Sequence, residues 1–135
     1  MNINDLEIVR NGNISPHDVS NLRKEVGWDP CFEKMNLIIK NSYTYFSITE
    51  NNNLIAFARV ISDGYAISLI VDLNIHPKYQ KQGIGTKFVK YIIEELKKDK
   101  IKYIQLIFDT ELRTFYEKCG FEIGLSGSIL NKSTD

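Results

Sequence analysis

The stretch from residue 65 to residue 98 constrains the fold most, because a strand-like run passes through a glycine loop directly into a helix. The run "YAISLIVDLNI" is rich in β-branched residues, and "GIGTKFVKYIIEEL" follows it closely. Apolar residues at Ile84, Phe88, Ile92 and Leu96 repeat with the period of one helix face. A further strand-like run, "KYIQLIF", follows the helix. The unit therefore predicts two parallel strands joined by a helix.

Shorter signals predict the remaining elements around this unit. "LEIVR" is a short strand, and "SPHDVSNLRKEV" and "DPCFEKMNLIIKN" each begin with a cap residue and a proline, as helices do. "YTYFSIT" and "NLIAFARVI" extend the strand at residues 65–75 into an antiparallel meander. "DTELRTFYEKCG" is a short helix, and "FEIG" and "GSIL" are the last short strands. We expect one α+β domain over residues 1–135, with helices on the faces of a mixed sheet.

The composition argues against several classes of protein. The 17 basic and 17 acidic residues cancel, whereas nucleic-acid binders usually carry a basic excess. No apolar run reaches a membrane-spanning length and no signal peptide is visible, so we expect a cytoplasmic protein without a membrane partner. Cys31 and Cys119 are expected to be reduced thiols, and the sequence shows no metal-ligand spacing.

The glycine loop predicts a site for an anion. The first turn of a helix has unpaired backbone N–H groups, and glycines let a phosphate approach them. The spacing of Gly83 and Gly85 fits no Walker A loop, and Phe88 occupies the third position of a dinucleotide G-x-G-x-x-G motif. Taken alone, the glycines are equally compatible with a turn that only packs a helix on a sheet.

Two motifs resemble those of the GNAT superfamily of N-acetyltransferases. The run "QKQGIG" at residues 80–85 is similar to the acetyl-CoA-binding motif Q/R-x-x-G-x-G/A, and "FYEKCGF" at residues 115–121 is similar to the later FYEKxGF motif. The resemblance covers most of the chain. It implies a mixed, mostly antiparallel sheet that is flanked by about four helices and splayed between the fourth and fifth strands. It also implies acetyl-CoA as the acetyl donor, with no metal.

The resemblance assigns residues to this cosubstrate. The diphosphate would lie on the backbone amides of the loop, and the pantetheine arm would pair with the end of the preceding strand. The residues assigned in this way are Asn74, Ile75, Gln80, Lys81, Gln82, Gly83, Ile84, Gly85, Thr86 and Phe115. The chain departs from the family at Asp109 and Leu112, where members often carry Asn and Ala. The departure weakens any role of position 109 as an amide donor.

Two residues are predicted to be catalytic. Strand alternation along "SLIVDLNIHP" places the even-numbered residues from Ser68 to His76 on one face. On that face Asp72 is the candidate base or water-orienting acid, with an ordinary hydrogen-bonded structural role as the equal alternative. Tyr116 is the candidate acid, because a phenol with a pKa near 10 stays protonated and can donate to a developing thiolate. The resemblance implies the same role for Tyr116, in a direct transfer without an acyl-enzyme.

The acceptor is predicted less sharply than the donor. Pocket residues are expected on the first two helices, their loop and the meander: Arg23, Trp28, Phe32, Tyr43, Tyr45 and His76. An aromatic and partly acidic cleft would suit a small-molecule amine. A protein lysine, a protein N-terminus and a non-catalytic acyl-CoA sensor are the alternatives. Homodimerisation through a sheet edge or the C-terminal strands is compatible with the sequence.

Overall fold

The computed structural model describes residues 2–132 and contains a five-stranded sheet in the order β1-β2-β3-β4-β5. The strands are β1 (Ile8–Arg10), β2 (Thr44–Glu50), β3 (Asn53–Ser62), β4 (Ile67–Ile75) and β5 (Tyr103–Leu106). The α-helices are α1 (Pro16–Glu25), α2 (Met35–Lys40), α3 (Ile84–Lys98) and α4 (Arg113–Lys118). Short 3-10 turns lie at Ile3–Asp5, Pro77–Tyr79 and Thr110–Leu112. Pairing is antiparallel from β1 to β4 and parallel between β4 and β5, so the predicted α+β class and mixed sheet are confirmed.

Two apolar clusters hold the helices on opposite faces of the sheet. The larger cluster packs Phe88, Ile92 and Leu96 of α3 against the sheet. The smaller cluster joins α1 and α2 to Phe57 of β3. Complete burial of one such side chain contributes roughly 1.5–3 kcal/mol, so the two clusters are the main source of stability for both layers.

A bulge interrupts β4 at Asp72. The register pairs Val71 with Arg59 but Asn74 with Phe57, so β4 has one more residue than β3 between these two pairs. Asp72 has a φ of 55°, in the left-handed region that aspartate and asparagine enter more readily than most residues. The extra residue is the geometry of a β-bulge, which bends a strand and increases its twist.

The bulge makes the predicted alternation along β4 wrong. Ile70 and Ile75 both pack toward α3, although one is even-numbered and the other odd-numbered. Asp72 contacts α1 on the opposite face. The even-numbered residues from Ser68 to His76 therefore do not form one row, because one inserted residue reverses the side-chain direction beyond it.

The second helix also begins later than predicted. The sequence indicated a start at Pro30, whereas α2 begins at Met35. The Asp29 carboxylate accepts the backbone N–H of Cys31 at 3.0 Å, and Cys31 has a φ of 55°. This local hydrogen bond competes with helix formation and leaves residues 31–34 as a turn.

The last two predicted strands are absent. Residues 121–131, which include "FEIG" and "GSIL", form no strand, bend or hydrogen-bonded turn. Within residues 2–132, β5 is therefore the edge of the sheet and pairs on one side alone. Both cysteines are free, and no helix of the described chain is long and apolar enough to cross a membrane.

Arg10 joins the first strand to the end of α3. Its guanidinium donates to the two carboxylate oxygens of Asp99 at 3.3 and 2.6 Å, and the Tyr43 hydroxyl donates to the same carboxylate at 2.8 Å. The hydrogen bonds from Arg10, followed by that from Tyr43, hold the pKa of Asp99 below its usual value. The strand at one edge of the sheet is thus fastened to the helix that covers it.

We expect Asp99→Asn to lower the free energy of unfolding by about 1 kcal/mol at neutral pH. A carboxyl group whose pKa is depressed in the folded state stabilises the fold above its unfolded pKa, and this contribution is lost as the pH falls through the folded pKa. The difference between the two proteins should therefore shrink as the pH falls below about 4. Denaturant unfolding at several pH values measures it, with the exposed Asp5→Asn as control. A difference independent of pH would contradict the assignment.

Candidate active site

A cleft opens where β4 and β5 separate. Their parallel pairing ends at Ile70 opposite Leu106, while β4 continues to Ile75. The cleft has a volume of about 370 Å³. Among its lining residues are three aromatic side chains and two carboxylates: Trp28, Phe108, Tyr116, Asp72 and Asp109. The predicted splay between the fourth and fifth strands is confirmed.

Tyr116 lies in the wall of this cleft and is only 6% exposed. Its ring packs against Phe108, Phe115 and Phe121, at centroid distances of 4.8, 5.0 and 5.9 Å. Burial, with a smaller contribution from Cys119, raises the pKa of Tyr116 to about 12. The hydroxyl has no hydrogen-bond partner among residues 2–132, so it is a neutral donor available to a ligand.

Asp72 is held by two arginines. Its Oδ1 accepts from Nη1 of Arg23 and its Oδ2 accepts from Nε of Arg59, both at 2.5 Å. The three side chains are only 15–18% exposed, so solvent screens these ion pairs weakly. Because both oxygens already accept a guanidinium donor, the arrangement supports the structural role that the sequence left open. The role of Asp72 as a base stays a prediction.

Arg23 connects Asp72 to the wall of the cleft. Its Nε donates to the backbone oxygen of Asp29 at 2.6 Å, and its guanidinium carbon lies 5.4 Å from the centre of the Trp28 ring. Trp28 lines the cleft, and its part in binding the acceptor stays a prediction, whereas Arg23 does not line the cleft and contacts the Trp28 ring.

Besides Arg23, four predicted acceptor residues lie outside the cleft: Phe32, Tyr43, Tyr45 and His76. The Tyr43 hydroxyl binds Asp99, and the Tyr45 hydroxyl donates to the backbone oxygen of Gly12 at 2.6 Å. The ring of Phe32 lies against His17 at 5.1 Å. These aromatic side chains therefore have structural contacts that occupy them.

His76 lies in a different hollow, of about 350 Å³, between α1 and the turn at Pro77–Tyr79. Its Nδ1 accepts the backbone N–H of Lys78 at 3.1 Å, and its Nε2 lies 4.0 Å from an oxygen of Glu25. Neither Asp72 nor Tyr116 lines this hollow. The structure therefore does not bring His76 together with the two predicted catalytic residues.

The sequence prediction missed two residues of the cleft, Phe108 and Asp109. Both follow β5 directly, at the end of the strand that diverges from β4. This position was the available signal, because residues that follow a diverging strand end border the gap. Asp109 was noted for its departure from the family pattern, without a place in the site.

The glycine loop leaves the backbone N–H groups at the start of α3 accessible. Gly83 precedes α3 with a φ of 84°, and no side chain caps the first turn of this helix. The side-chain amides of Gln80 and Gln82 donate to the backbone oxygens of Ile75 and Lys78, at 2.8 and 3.1 Å. These two side chains brace the loop and leave the backbone N–H groups of the helix start for an anion.

The start of α3 packs closely against the end of β4 and against α4. A Cβ atom on Gly85 would lie 3.4 Å from Cδ1 of Ile75 and 3.4 Å from Cζ of Phe115. Ile84 is 1% exposed, so its backbone N–H rather than its side chain can face a ligand. Lys81 and Thr86 complete the segment, and Lys81 has a φ of 63°.

These features fit acetyl-CoA. The last five residues of β4, from Val71 to Ile75, have no β5 partner and present backbone groups to the gap. Asn74 is 5% exposed, and neither polar atom of its side-chain amide has a hydrogen-bond partner. An unsatisfied buried amide costs about 1–3 kcal/mol, which a ligand that supplies the partners would recover. The uncapped start of α3 suits a diphosphate.

Comparisons with known proteins identify the family. Residues 41–123 match the family described as Acetyltransferase (GNAT) domain. The chain is 31% identical over 122 residues to the Pyropia yezoensis protein named uncharacterized N-acetyltransferase ycf52, covering 87% of this chain and 70% of that protein. It is 30% identical over 128 residues to histone acetyltransferase TAP1 of Glycine max, covering 86% of this chain and 55% of TAP1.

The fold comparison leads to the same family. The structure of SA2161, a probable acetyltransferase from meticillin-resistant Staphylococcus aureus, has a TM-score of 0.80 at 26% identity and covers 93% of this chain and 99% of that one. The chain belongs to the GNAT family of acetyltransferases, whose fold implies acetyl-CoA as cosubstrate. Residues 2–132 contain no group of three or more side chains that could hold a metal ion.

The buried phenol gives a direct spectroscopic prediction. We expect ultraviolet titration of the tyrosines to show that Tyr116 ionises at about pH 12, while an unperturbed tyrosine ionises near 10. The difference curve between wild type and Tyr116→Phe isolates this group, and Tyr65→Phe, at a residue that is 79% exposed, is the control. A difference curve with a midpoint near pH 10 would contradict burial of the Tyr116 hydroxyl.

Proposed function

We propose that this chain is an enzyme that transfers the acetyl group of acetyl-CoA directly to a primary amine of a small molecule. One observation carries the proposal: the open edge of β4 borders a cleft that combines aromatic rings, carboxylates and the buried hydroxyl of Tyr116. The edge and the start of α3 would hold the cosubstrate, which supplies the activated acetyl group, and the cleft would hold the amine.

Asp109 is the carboxylate best placed to bind the amine. It occupies the N-terminal cap position of the turn at Thr110–Leu112, yet its side chain makes no capping hydrogen bond. Among the described residues it has no ion pair, whereas Asp72 is neutralised by two arginines. An ammonium group between Asp109 and the rings of Trp28 and Phe108 would gain charge pairing and cation–π attraction.

The protons that move during acetyl transfer indicate the role of Tyr116. The amine nitrogen forms a bond to the acetyl carbon, the carbon–sulfur bond breaks, the nitrogen loses protons and the sulfur gains one. Complete proton transfer from a phenol with a pKa of about 12 to a thiolate near 8.5 costs about 5 kcal/mol. We therefore propose that the Tyr116 hydroxyl donates a hydrogen bond to the sulfur. Tyr116 gives up its proton to the sulfur only if the proton that the nitrogen loses is passed to the Tyr116 oxygen.

Backbone groups of β4 would assist at the carbonyl. The N–H groups near Asn74 and Ile75 lie on the open part of the strand, where one of them would donate to the acetyl oxygen as negative charge develops. The predicted base, Asp72, or a water molecule in the cleft would take the proton from the ammonium. We do not assign this part to His76, because it lines the other hollow.

One relative favours a second acceptor. TAP1 is named a histone acetyltransferase, and a protein lysine presents the same primary amine to the cleft. The compartment also stays a prediction: the sequence suggests the cytoplasm, while GCN5-related N-acetyltransferase 2 of Arabidopsis thaliana, 29% identical over 137 residues, is named chloroplastic.

Release of free thiol from acetyl-CoA tests the proposal. The chain would be incubated with a panel of small amines, with lysine-containing peptides and without acceptor, and binding of CoA would be measured separately by calorimetry. Turnover with small amines supports the proposal, and turnover with peptides alone supports protein acetylation. Binding without turnover on any acceptor would identify a sensor. Absence of binding by both CoA and acetyl-CoA would overturn the whole assignment.

Asp109→Asn should raise KM for a cationic small amine about tenfold, since about 1.4 kcal/mol of charge pairing is lost. The affinity for CoA and the value of kcat should change little, because the substitution keeps the size of the side chain. Glu111→Gln is the matched control, since Glu111 is exposed on the same turn. An equal rise of KM in both variants would reject the specific role of Asp109.

Tyr116→Phe should lower kcat by about tenfold to a hundredfold, because the sulfur loses a buried hydrogen-bond donor while packing is kept. The dissociation constant of CoA should remain within about twofold, since the phenyl ring preserves the wall of the cleft. Steady-state kinetics and calorimetry measure the two quantities. A fall in CoA affinity with unchanged kcat would show that Tyr116 only binds the cosubstrate.

A further inference from the structure

Residues 2–6, here called the leading turn, lie against the start of α3. The side chain of Ile3 is partly buried and packs against the larger apolar cluster. A Cβ atom on Gly83 would lie 3.4 Å from Cδ1 of Ile3, so this side chain reaches the glycine loop. The Asn2 side chain accepts the backbone N–H of Asn4 at 3.0 Å and caps the 3-10 turn. The leading turn therefore has a defined shape where it meets the loop.

The side chain of Lys87, in the first turns of α3, holds the leading turn. Its Nζ donates to the backbone oxygens of Ile3 and Leu6 at 3.0 and 2.8 Å. The N–H of Leu6 also donates to the oxygen of Ile3, at 3.2 Å, so the ammonium binds the two ends of the 3-10 turn. Two of the three donors of the ammonium are used in this way, and both hydrogen bonds are partly buried.

The backbone of Lys87 binds the glycine loop as well. Its N–H donates to the oxygen of Gly83 at 3.2 Å and closes the first turn of α3. Gly83, Lys87 and the leading turn are thus joined pairwise by three contacts, here called the contact triangle. Gly83 has a φ of 84°, outside the helical region, at the point where the chain enters α3. The triangle fixes the position of this entry, and residues that fix a binding site in this way determine how well its donors are aligned.

We propose that Lys87 is a positioning residue for the cosubstrate, and that it acts through the leading turn rather than by contact with a phosphate. The proposal rests on the proposed function, in which the backbone N–H groups after Gly83 bind the diphosphate of acetyl-CoA. A lysine at the start of such a helix would ordinarily be assigned as a phosphate ligand. Movement of Nζ to a phosphate would break both hydrogen bonds to the leading turn, and this cost disfavours that role.

Calorimetry with CoA on the full chain tests the positioning role. Lys87→Met removes the ammonium and keeps most of the stem, so we expect about threefold to tenfold weaker binding of CoA, with an equal rise in KM for acetyl-CoA and an unchanged kcat. Lys87→Arg keeps the charge and the donors and should restore most of the affinity. Lys90→Met is the matched control, since it removes the same charge from an exposed position of the same helix. Wild-type affinity in Lys87→Met overturns the proposal.

Two further readouts separate positioning from direct contact with a phosphate. Ile3→Ala opens the contact triangle at another side and should also weaken the binding of CoA. The double variant Ile3→Ala, Lys87→Met should bind as weakly as the weaker single variant, because both changes open the same triangle. The salt dependence of the affinity should be the same in Lys87→Met as in the wild type, whereas loss of a direct ion contact would reduce it. Additive losses in free energy, or a reduced salt dependence, would reject the role.

Hydrogen exchange of the free chain tests the triangle without any ligand. We expect the backbone amides of residues 87–89 to exchange about tenfold faster in Lys87→Met and in Ile3→Ala, while those of residues 92–98 keep the wild-type rate. Equal acceleration along the whole of α3 would show only a general loss of stability, and it would contradict the proposal, as would unchanged exchange at residues 87–89. Failure of the positioning role leaves the binding of CoA by the wild type intact, whereas a wild type that binds no CoA overturns the proposed function.

Discussion

The two ion pairs of Asp72 are the interaction on which the site depends. A non-glycine residue in the left-handed region costs on the order of 1–3 kcal/mol and persists only where its surroundings stabilise it. Here Arg23 from α1 and Arg59 from β3 bind both carboxylate oxygens. The bulge lies two residues after Ile70, where pairing with β5 ends, and a bulge bends its strand. The ion pairs therefore hold in place the bent segment of β4 that borders the cleft.

The aromatic packing around Tyr116 joins the parts of the site into one unit. Phe115 touches Tyr116 on α4 and also lies 3.4 Å from the Cβ position of Gly85 at the start of α3. A larger side chain at Gly85 would press on this contact and on Ile75 of β4. The burial that fixes these distances also keeps the phenol of Tyr116 neutral, since it raises the pKa of the hydroxyl. The position of the Tyr116 hydroxyl and its neutral state therefore both result from the burial of this side chain.

The sequence predicted those features that depend on residues close together in the chain. It did not predict those that depend on contacts between residues far apart in the chain. The glycine loop and the amphipathic α3 followed from "QKQGIG" and the apolar pattern after it, whereas the splay was implied by the family resemblance. The bulge did not, because a strand run with one inserted residue looks the same in sequence as one without it. Likewise, Tyr43 was assigned to an acceptor pocket because its partner Asp99, 56 residues away, is not visible in the local pattern. The place of Asp109 in the cleft was not predicted, because it depends on how β4 and β5 separate and not on the residues next to it in sequence.

The charged residues that line the cleft favour one position for a cationic acceptor. The whole chain has a formal net charge of +0, yet Asp72 with its two arginines carries one net positive charge and Asp109 carries one negative charge, and both aspartates line the cleft. Asp109 is exposed, so solvent and salt screen its attraction for a cation but leave the sign of that attraction unchanged. Under the proposed function, an ammonium group would pair with Asp109, which has no ion pair among residues 2–132, rather than with Asp72 and its two arginines. Tyr116 lines the same cleft, so its hydroxyl would be a donor for the sulfur of a cosubstrate that is bound there.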